Sequence, residues 1–529
     1  MRGGPQGRPD DAAPQRRGPA VRLSSLARSA TGNIVANQIP RLWSTGLQFV
    51  ITPLIARMLG AESYGLIGFY LSLITALMFL AGGLAASVTR ELARAEEDDA
   101  TRLEIRSTFV SLDRLHLGIG IATGAVIALG APWIAGSWLN PGSLPHDRVV
   151  TALRLMGLCL ACQWPHYFYS ACFTAVNRQT DFALPLILFS LIQNGGAVLL
   201  LWGVAPRIEV YFLWSAGVWA AFNALSRGLF VKGLPQDSIP GRWMPAKLAA
   251  LARFGTAAAL AGLLSAAINQ IDKLAVSGAA GLDTFAAYSL SFSLASLITV
   301  VAASPVGSIL LPLITRLSAA RDTRAMAEEY HRWTQVIAFI ALPMTATLVV
   351  FPRPFLEAWL GGGSPLVPAM LPILPWAAAT TLFAAFDILP NQIQWGNGWT
   401  RLSIQKALIA LPLYGVALAF ALPRFGAVAG AWCGLLVYLG YYLIEVPAMH
   451  RRLLSGELTA WWLKDTLGPG MATVLVYLAA WKLAPAFPTK WHGVAYATGI
   501  AGFDVLVLLV VMPHVRALAR EGWRRLRVR

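Results

Sequence analysis

Charge is scarce in this 529-residue chain, where Asp, Glu, Lys and Arg make up 13% of the residues, against roughly 25% in soluble domains. Cysteine is scarcer. The four present, Cys159, Cys162, Cys172 and Cys433, all lie inside apolar stretches, which excludes an extracellular disulfide framework. Cys159 and Cys162 share a helix face, but no second Cys or His pair has metal-ligand spacing, so the thiols read as buried and inert, with no metal expected. GxxxxGK[ST], HExxH and GxSxG are all missing, which leaves nothing to cradle a nucleotide and no catalytic or cofactor motif. Met1 to Ser29 contain no apolar core of signal-peptide length. Rich in Arg, Pro and Gly, they read as a disordered basic tail retained in the cytoplasm.

What is abundant is apolar. Hydrophobic residues reach 56% against roughly 45 to 50% in soluble domains, the mean hydropathy is +0.59, and there are 19 Trp, 47 Gly and 32 Pro. A soluble fold cannot bury that much apolar side chain, whereas membrane helices use it and tolerate Gly and Pro. Disordered, collagenous and disulfide-rich classes are excluded. The net charge of +16 would suggest nucleic acid in a soluble chain. Here its placement matters more, and no nucleic-acid partner is expected.

Fourteen stretches of spanning length follow from Asn33 to Pro513, among them Val150 to Val176 as the fourth, Trp333 to Trp359 as the ninth, Leu366 to Leu389 as the tenth and Ala427 to Val446 as the twelfth. With the amino terminus inside and the crossings alternating, the inner segments hold 31 Lys and Arg and the outer ones 8. Cytoplasmic loops carry such an excess. Its persistence to the last residue predicts an even number of helices with both termini cytoplasmic.

The two halves resemble each other. LGAESYGLIGFYLSL starts at Leu59 and AGLDTFAAYSLSFSL at Ala280, 221 residues later, placing Gly60, Glu62, Ser63 and Tyr64 against Gly281, Asp283, Thr284 and Phe285. Six helices return the chain to its starting side, so the repeat is parallel. The expected fold is an all-α polytopic membrane protein of about 14 helices. Its parts are a basic tail (1–29), a six-helix lobe (30–230), a cytoplasmic linker (231–251), a second six-helix lobe (252–447), two further helices (448–515) and a basic tail (516–529).

Polar groups in hydrocarbon are costly and face a bundle interior or a wet cavity. Asn37, Arg41, Ser44, Gln48 and Thr52 recur at steps of three or four, one polar stripe along the first helix. The alternatives are an Arg41 that lines a cavity and one that snorkels to headgroups. Asp387, Asn391 and Gln394 form a similar face near the cytoplasmic end of the tenth span, beside Pro390, which is expected to loosen the helix. Asp387 is a candidate proton or cation site. Ser265, Asn269 and Asp272 lie on the seventh span and Gln163, His166, Ser170 and Asn177 on the fourth. Inter-helix hydrogen bonding accounts for each of these sets as well as function does. Asp272 and Lys273 near the outer end read as wetted charges. Asp504, alone in the last span, is expected to be partnered or protonated.

The segment PLIARMLGAESYGLIGFYLSLITALMFLAGGLAASVTRELAR (Pro53 to Arg94) resembles the opening of the polysaccharide and O-antigen (Wzx-type) flippases of the multidrug/oligosaccharidyl-lipid/polysaccharide exporter superfamily. INQIDKLAVSGAAGLDTFAAYSLSFSLASLI (Ile268 to Ile298) and LLPLITRLS near Arg316 resemble the start of that family's second lobe. The resemblance implies two six-helix lobes around a cleft opening alternately to each side of a bacterial inner membrane. It implies a cargo of oligosaccharide on an isoprenoid diphosphate, and polymerase and export proteins acting downstream. Lipid II flippase relatives have a basic cavity, and Arg41 is carried into that role. With Arg41, the cargo contacts expected are Asn37, Gln48, Asn269, Asn391 and Gln394, with Asp387 as the ion-coupling candidate. An isoprenoid tail can stay in lipid while the protein supplies a polar path for the sugar. Outward movement of a diphosphate is downhill by roughly 2.3 kcal/mol per charge per 100 mV. A multidrug/cation antiporter would share the scaffold but need a deep acid in the amino-terminal lobe, for which Asp113 is the nearest candidate. A membrane glycosyltransferase or ligase is disfavoured by short outer loops, so the chain is not expected to be an enzyme.

Overall fold

The computed structural model describes residues 23–94, 101–176, 178–232, 243–244 and 263–527. Where these overlap the fourteen apolar stretches the chain is largely helical, with three breaks given below, and among the described residues ten helices are long and apolar enough to cross a membrane. The first group is α1 (Leu23–Leu59), α2 (Ala61–Arg94), α3 (Thr101–Trp133), α4 (His146–Gln163), α5 (Pro165–Ala175), α6 (Gln179–Gly203) and α7 (Ile208–Lys232). The second starts with α8 (263–279) and continues through α9 (Leu282–Ile298), α10 (Ser304–Ala319), α11 (Thr323–Val350), α12 (Pro352–Leu360), α13 (Leu366–Met370), α14 (Leu374–Gly396), α15 (Arg401–Phe425), α16 (Ala427–Gly440) and α17 (Val446–Leu453). After a short α18 (Leu458–Ala460), α19 (Leu467–Leu483) and α20 (Lys490–Val511) pack on each other and on α11, and α21 (Pro513–Arg527) ends the described chain.

Proline and glycine set the breaks. Gly60, in the left-handed region at φ +81, turns α1 into α2 in a single residue, a conformation costly for any residue with a Cβ. Its repeat partner Gly281 is instead extended, at φ −64 and ψ 154. The fourth expected span is divided at Pro165, which takes the first position of α5 where its missing N–H leaves nothing unpaired. The ninth, expected to reach Trp359, stops at Phe351, and Pro352 starts the separate α12. The tenth is interrupted after Met370 and resumes at Leu374. Pro390, expected to loosen α14, is passed without interruption. Of four π-helical turns among the described residues, Thr299–Ala303, Tyr441–Glu445 and Trp461–Thr466 lie ahead of Pro305, Pro447 and Pro469, and the fourth is Ile134–Trp138. A proline removes one N–H and pushes away the carbonyl four residues before it, which widens the preceding turn.

One expectation about the termini changes, since residues 23–29 of the expected disordered tail are the start of α1. The basic segment 516–529 is helical as far as Arg527. Most of the connection 231–251 lies outside the described residues.

The two groups meet where α2 packs on α9, so the repeated hairpins face each other. Gly65 lies against the Leu282 backbone so closely that a Cβ there would stand 2.3 Å from its carbonyl oxygen, and one on Gly68 would stand 2.6 Å from Ser289 Oγ. Their small size permits the contact.

Candidate functional site

The polar stripe on α1 has two environments. Gln48 is exposed, Ser44 half-buried and Thr52 buried. Val50 and Leu54, exposed at 61% and 42%, lie roughly on the opposite side of the helix at 3.6 residues per turn. An exposed apolar face and, across the helix, an exposed amide therefore coexist on α1, and the polar side closes within one turn, at Thr52. Asn37 and Arg41 continue the Gln48 face by helical spacing. Their side chains lie outside the described residues.

Next to Thr52, the two helix groups are joined. Phe49 stacks on Trp359 with ring centroids 5.4 Å apart, and Trp359 Nε1 donates to the Phe49 carbonyl at 2.9 Å. Arg57 donates to the carbonyls of Leu360 and Trp359. On the other flank Trp138 Nε1 donates to Ser277 Oγ at 3.1 Å, Asn140 Nδ2 to the Gly278 carbonyl at 2.9 Å, and the Leu282 N–H to the Asn140 carbonyl at 3.2 Å. Glu62 fixes the Asn140 loop by accepting from the backbone N–H groups of Gly142, Ser143 and Leu144. All these contacts are at the end of the molecule that the charge bias assigns to the outside.

Asp387, Asn391 and Gln394 do share a face of α14, and they meet two groups the sequence reading missed. Lys406 of α15 donates to Asp387 Oδ1 and Oδ2 at 3.1 and 3.3 Å, to Asn391 Oδ1 at 3.1 Å and to Glu445 Oε2 at 2.6 Å. Asn391 Nδ2 donates to Asp387 Oδ2 at 2.8 Å and Gln394 Nε2 to Glu445 Oε1 at 2.6 Å. By charge placement Lys406 is one more inner-loop cation, and Glu445 is only the last charge at the end of an apolar stretch. A carboxylate inside a spanning run is itself the available signal. The Tyr441–Glu445 π turn sets Glu445 in register with Lys406, whose ammonium also lies 4.4 Å from the Tyr441 ring centroid.

Asn269 is separate from these but connected. Tyr438 donates to its Oδ1 at 3.0 Å, and the Tyr438 ring packs edge-on against Tyr441 at 5.8 Å. Asp272 is not wetted as expected. It is buried, accepts from Tyr288 at 2.7 Å and has Lys273 at 3.5 Å, because α9 closes over it. Gln163 accepts from Tyr70, and His166 sits among the rings of Phe182, Trp219 and Phe222. Asn177 lies outside the described residues. Asp113 is buried against Arg227, 2.9 Å from its Nε, and Tyr169, at 2.8 Å, a clamp across α3, α5 and α7. Asp504 is buried and accepts from Thr473 at 3.0 Å, holding α19 to α20. A further polar centre joins α11 to the carboxy-terminal helices. There Asp465 accepts from Gln335 at 2.7 Å and pairs with His331.

A family described as polysaccharide biosynthesis protein matches residues 54–363. The chain superposes on lipid II flippase MurJ in an inward closed conformation with a TM-score of 0.70 at 12% identity, over 89% of this chain and 97% of that one. An inward-facing multidrug resistance MATE family transporter of the MOP superfamily gives a TM-score of 0.61 at 14% identity, over 80% of this chain and 99% of that one. The MATE multidrug transporter DinF-BH gives 0.58 at 12% identity, over 81% and 96%. No curated protein sequence matches the chain. The fold is that of MOP-superfamily transporters, in a multi-pass membrane protein.

Proposed function

Because the chain belongs to the polysaccharide biosynthesis protein family, we propose that it is a flippase moving isoprenoid-diphosphate-linked oligosaccharide from the cytoplasmic to the outer leaflet of a bacterial inner membrane. The lobes 30–230 and 252–447 rock against each other, so access alternates between the two sides. The observation that carries this reading is the exposure of Gln48 across α1 from the lipid-type face of Val50 and Leu54. An amide at spanning depth is tolerated where it lines a wet path. A sugar needs such a path, and its isoprenoid tail does not. Arg41, two turns from Gln48 on the same face, supplies a guanidinium for the diphosphate, which it binds by charge and by its planar fork. Asn37 and Gln48 contact the sugar from this lobe and Asn269 from the other, whereas Asn391 and the fully buried Gln394 are occupied by Asp387, Lys406 and Glu445.

The antiporter reading needs a free acid in the first lobe, and Asp113 is already engaged by Arg227 and Tyr169. Deletion of the gene is expected to abolish surface polysaccharide while lipid-linked repeat units accumulate inside. Altered dye resistance with intact polysaccharide would instead support the antiporter. Arg41→Ala is expected to insert normally and to lose export. Full export by the stably expressed variant removes Arg41 from the mechanism.

A further inference from the structure

The Lys406 cluster is a built cation cage. Four oxygens, from Asp387, Asn391 and Glu445, surround Nζ at 2.6 to 3.3 Å. The lysine and aspartate side chains are 14% and 15% exposed and the glutamate 3%, so the charges are largely out of water and must be balanced within the protein. The cage does not depend on the lysine for its shape. Asn391 Nδ2 holds Asp387 at 2.8 Å, Gln394 Nε2 holds Glu445 at 2.6 Å, and Ser403 Oγ touches both amides, at 3.4 and 3.3 Å. With the amine gone, the same oxygens would still converge on one point. Carboxylate and amide oxygens are the ligands that hard metal cations take. The formal charge of the cluster is one negative with the ammonium present. One alkali ion in place of one ammonium keeps that balance, whereas the diphosphate of the cargo would be repelled.

We propose that Lys406 is a tethered cation: its ammonium fills a monovalent-cation site formed by Asp387, Asn391 and Glu445, so the native chain takes no free sodium there. Removing the amine opens the site to an alkali metal ion. Asp387 then serves as the fixed counter-charge of the second lobe. Any ion that drives transport acts elsewhere. This inference is independent of the cargo.

The test uses the full-length protein in detergent, purified in sodium and exchanged into sodium or choline chloride at equal ionic strength, with thermal unfolding as the readout. A ligand that binds only the folded state raises Tm in a saturable way. The native chain is expected to unfold at the same temperature in both salts. Lys406→Ala is expected to have a lower Tm in choline and a saturable rise with sodium, which Lys406→Ala/Asp387→Asn loses. Lys406→Ala/Glu445→Gln, which keeps the native net charge of the cluster, is expected to respond to sodium as well. A sodium-dependent rise in the native chain that Asp387→Asn abolishes would overturn the proposal. So would folded Lys406→Ala and Lys406→Ala/Glu445→Gln proteins that ignore sodium, or failure of both to fold even in sodium.

Discussion

Single buried charges in this protein are each matched to a partner of a particular kind. Asp113 has a guanidinium and a phenol, Asp272 a phenol and a neighbouring ammonium, and Asp465 an amide and an imidazole. Among the described residues Asp504 has only the Thr473 hydroxyl, and its Oδ1 is buried with no hydrogen-bond partner there. An ionised carboxylate left in that state would be very costly. Asp504→Asn keeps an acceptor for Thr473 and removes the need to hold a charge. Its thermal unfolding in detergent is therefore expected to stay within about 1 kcal/mol of the native protein. Asp504→Lys is expected to prevent α19 from pairing with α20, read as loss of folded protein after extraction.

At the scale of the element, close approach and widened turns do the work. α2 and α9 touch through glycine, and a Cβ at position 65 meets a backbone carbonyl, which cannot move aside as a side chain can. Gly65→Ala is expected to force the helices apart at a cost of roughly 1 to 3 kcal/mol in that contact. Ala286, fully buried in α9, is the reporter. A cysteine introduced there is expected to react faster with a membrane-impermeant maleimide in the Gly65→Ala background than in the native one. Equal rates would mean that the contact tolerates a methyl group. The proline-linked π turns have a comparable effect on register, since the turn before Pro447 is what brings Glu445 to Lys406. Pro447→Ala restores a backbone donor. It is expected to tighten that turn, draw Glu445 from the amine and lower Tm by a margin close to that of Glu445→Ala.

For the whole molecule, the paired backbone at Asn140 and Gly281 offers a lock. Cysteines at both positions place a disulfide across the two helix groups, at the end where they are already joined. Oxidation is expected to stop polysaccharide export and reduction to restore it, because alternating access requires this contact to open. Export that continues with the crosslink fully formed would show that the contact stays shut throughout the cycle. Under the same logic, Trp359→Ala removes the stacking partner of Phe49 and is expected to weaken the closed state without blocking insertion.

Composition and periodicity by themselves determined the solvent this chain belongs in, its helical class, the repeated hairpins and the faces of α1 and α14 that carry polar groups. Those are properties of a single helix against its surroundings, and hydropathy with a spacing of 3.6 encodes them. Tertiary structure alone decided which groups meet. That Lys406 reaches Asp387 and Glu445, that Asp272 is covered by Tyr288, and that the two hairpins close on one another depend on the rotation and register of helices far apart in sequence. Prolines at 352 and 447 alter that register through a break and a π turn whose consequences appear only once a neighbouring helix is in place. No local pattern along one helix records the depth at which its neighbour's charge will lie.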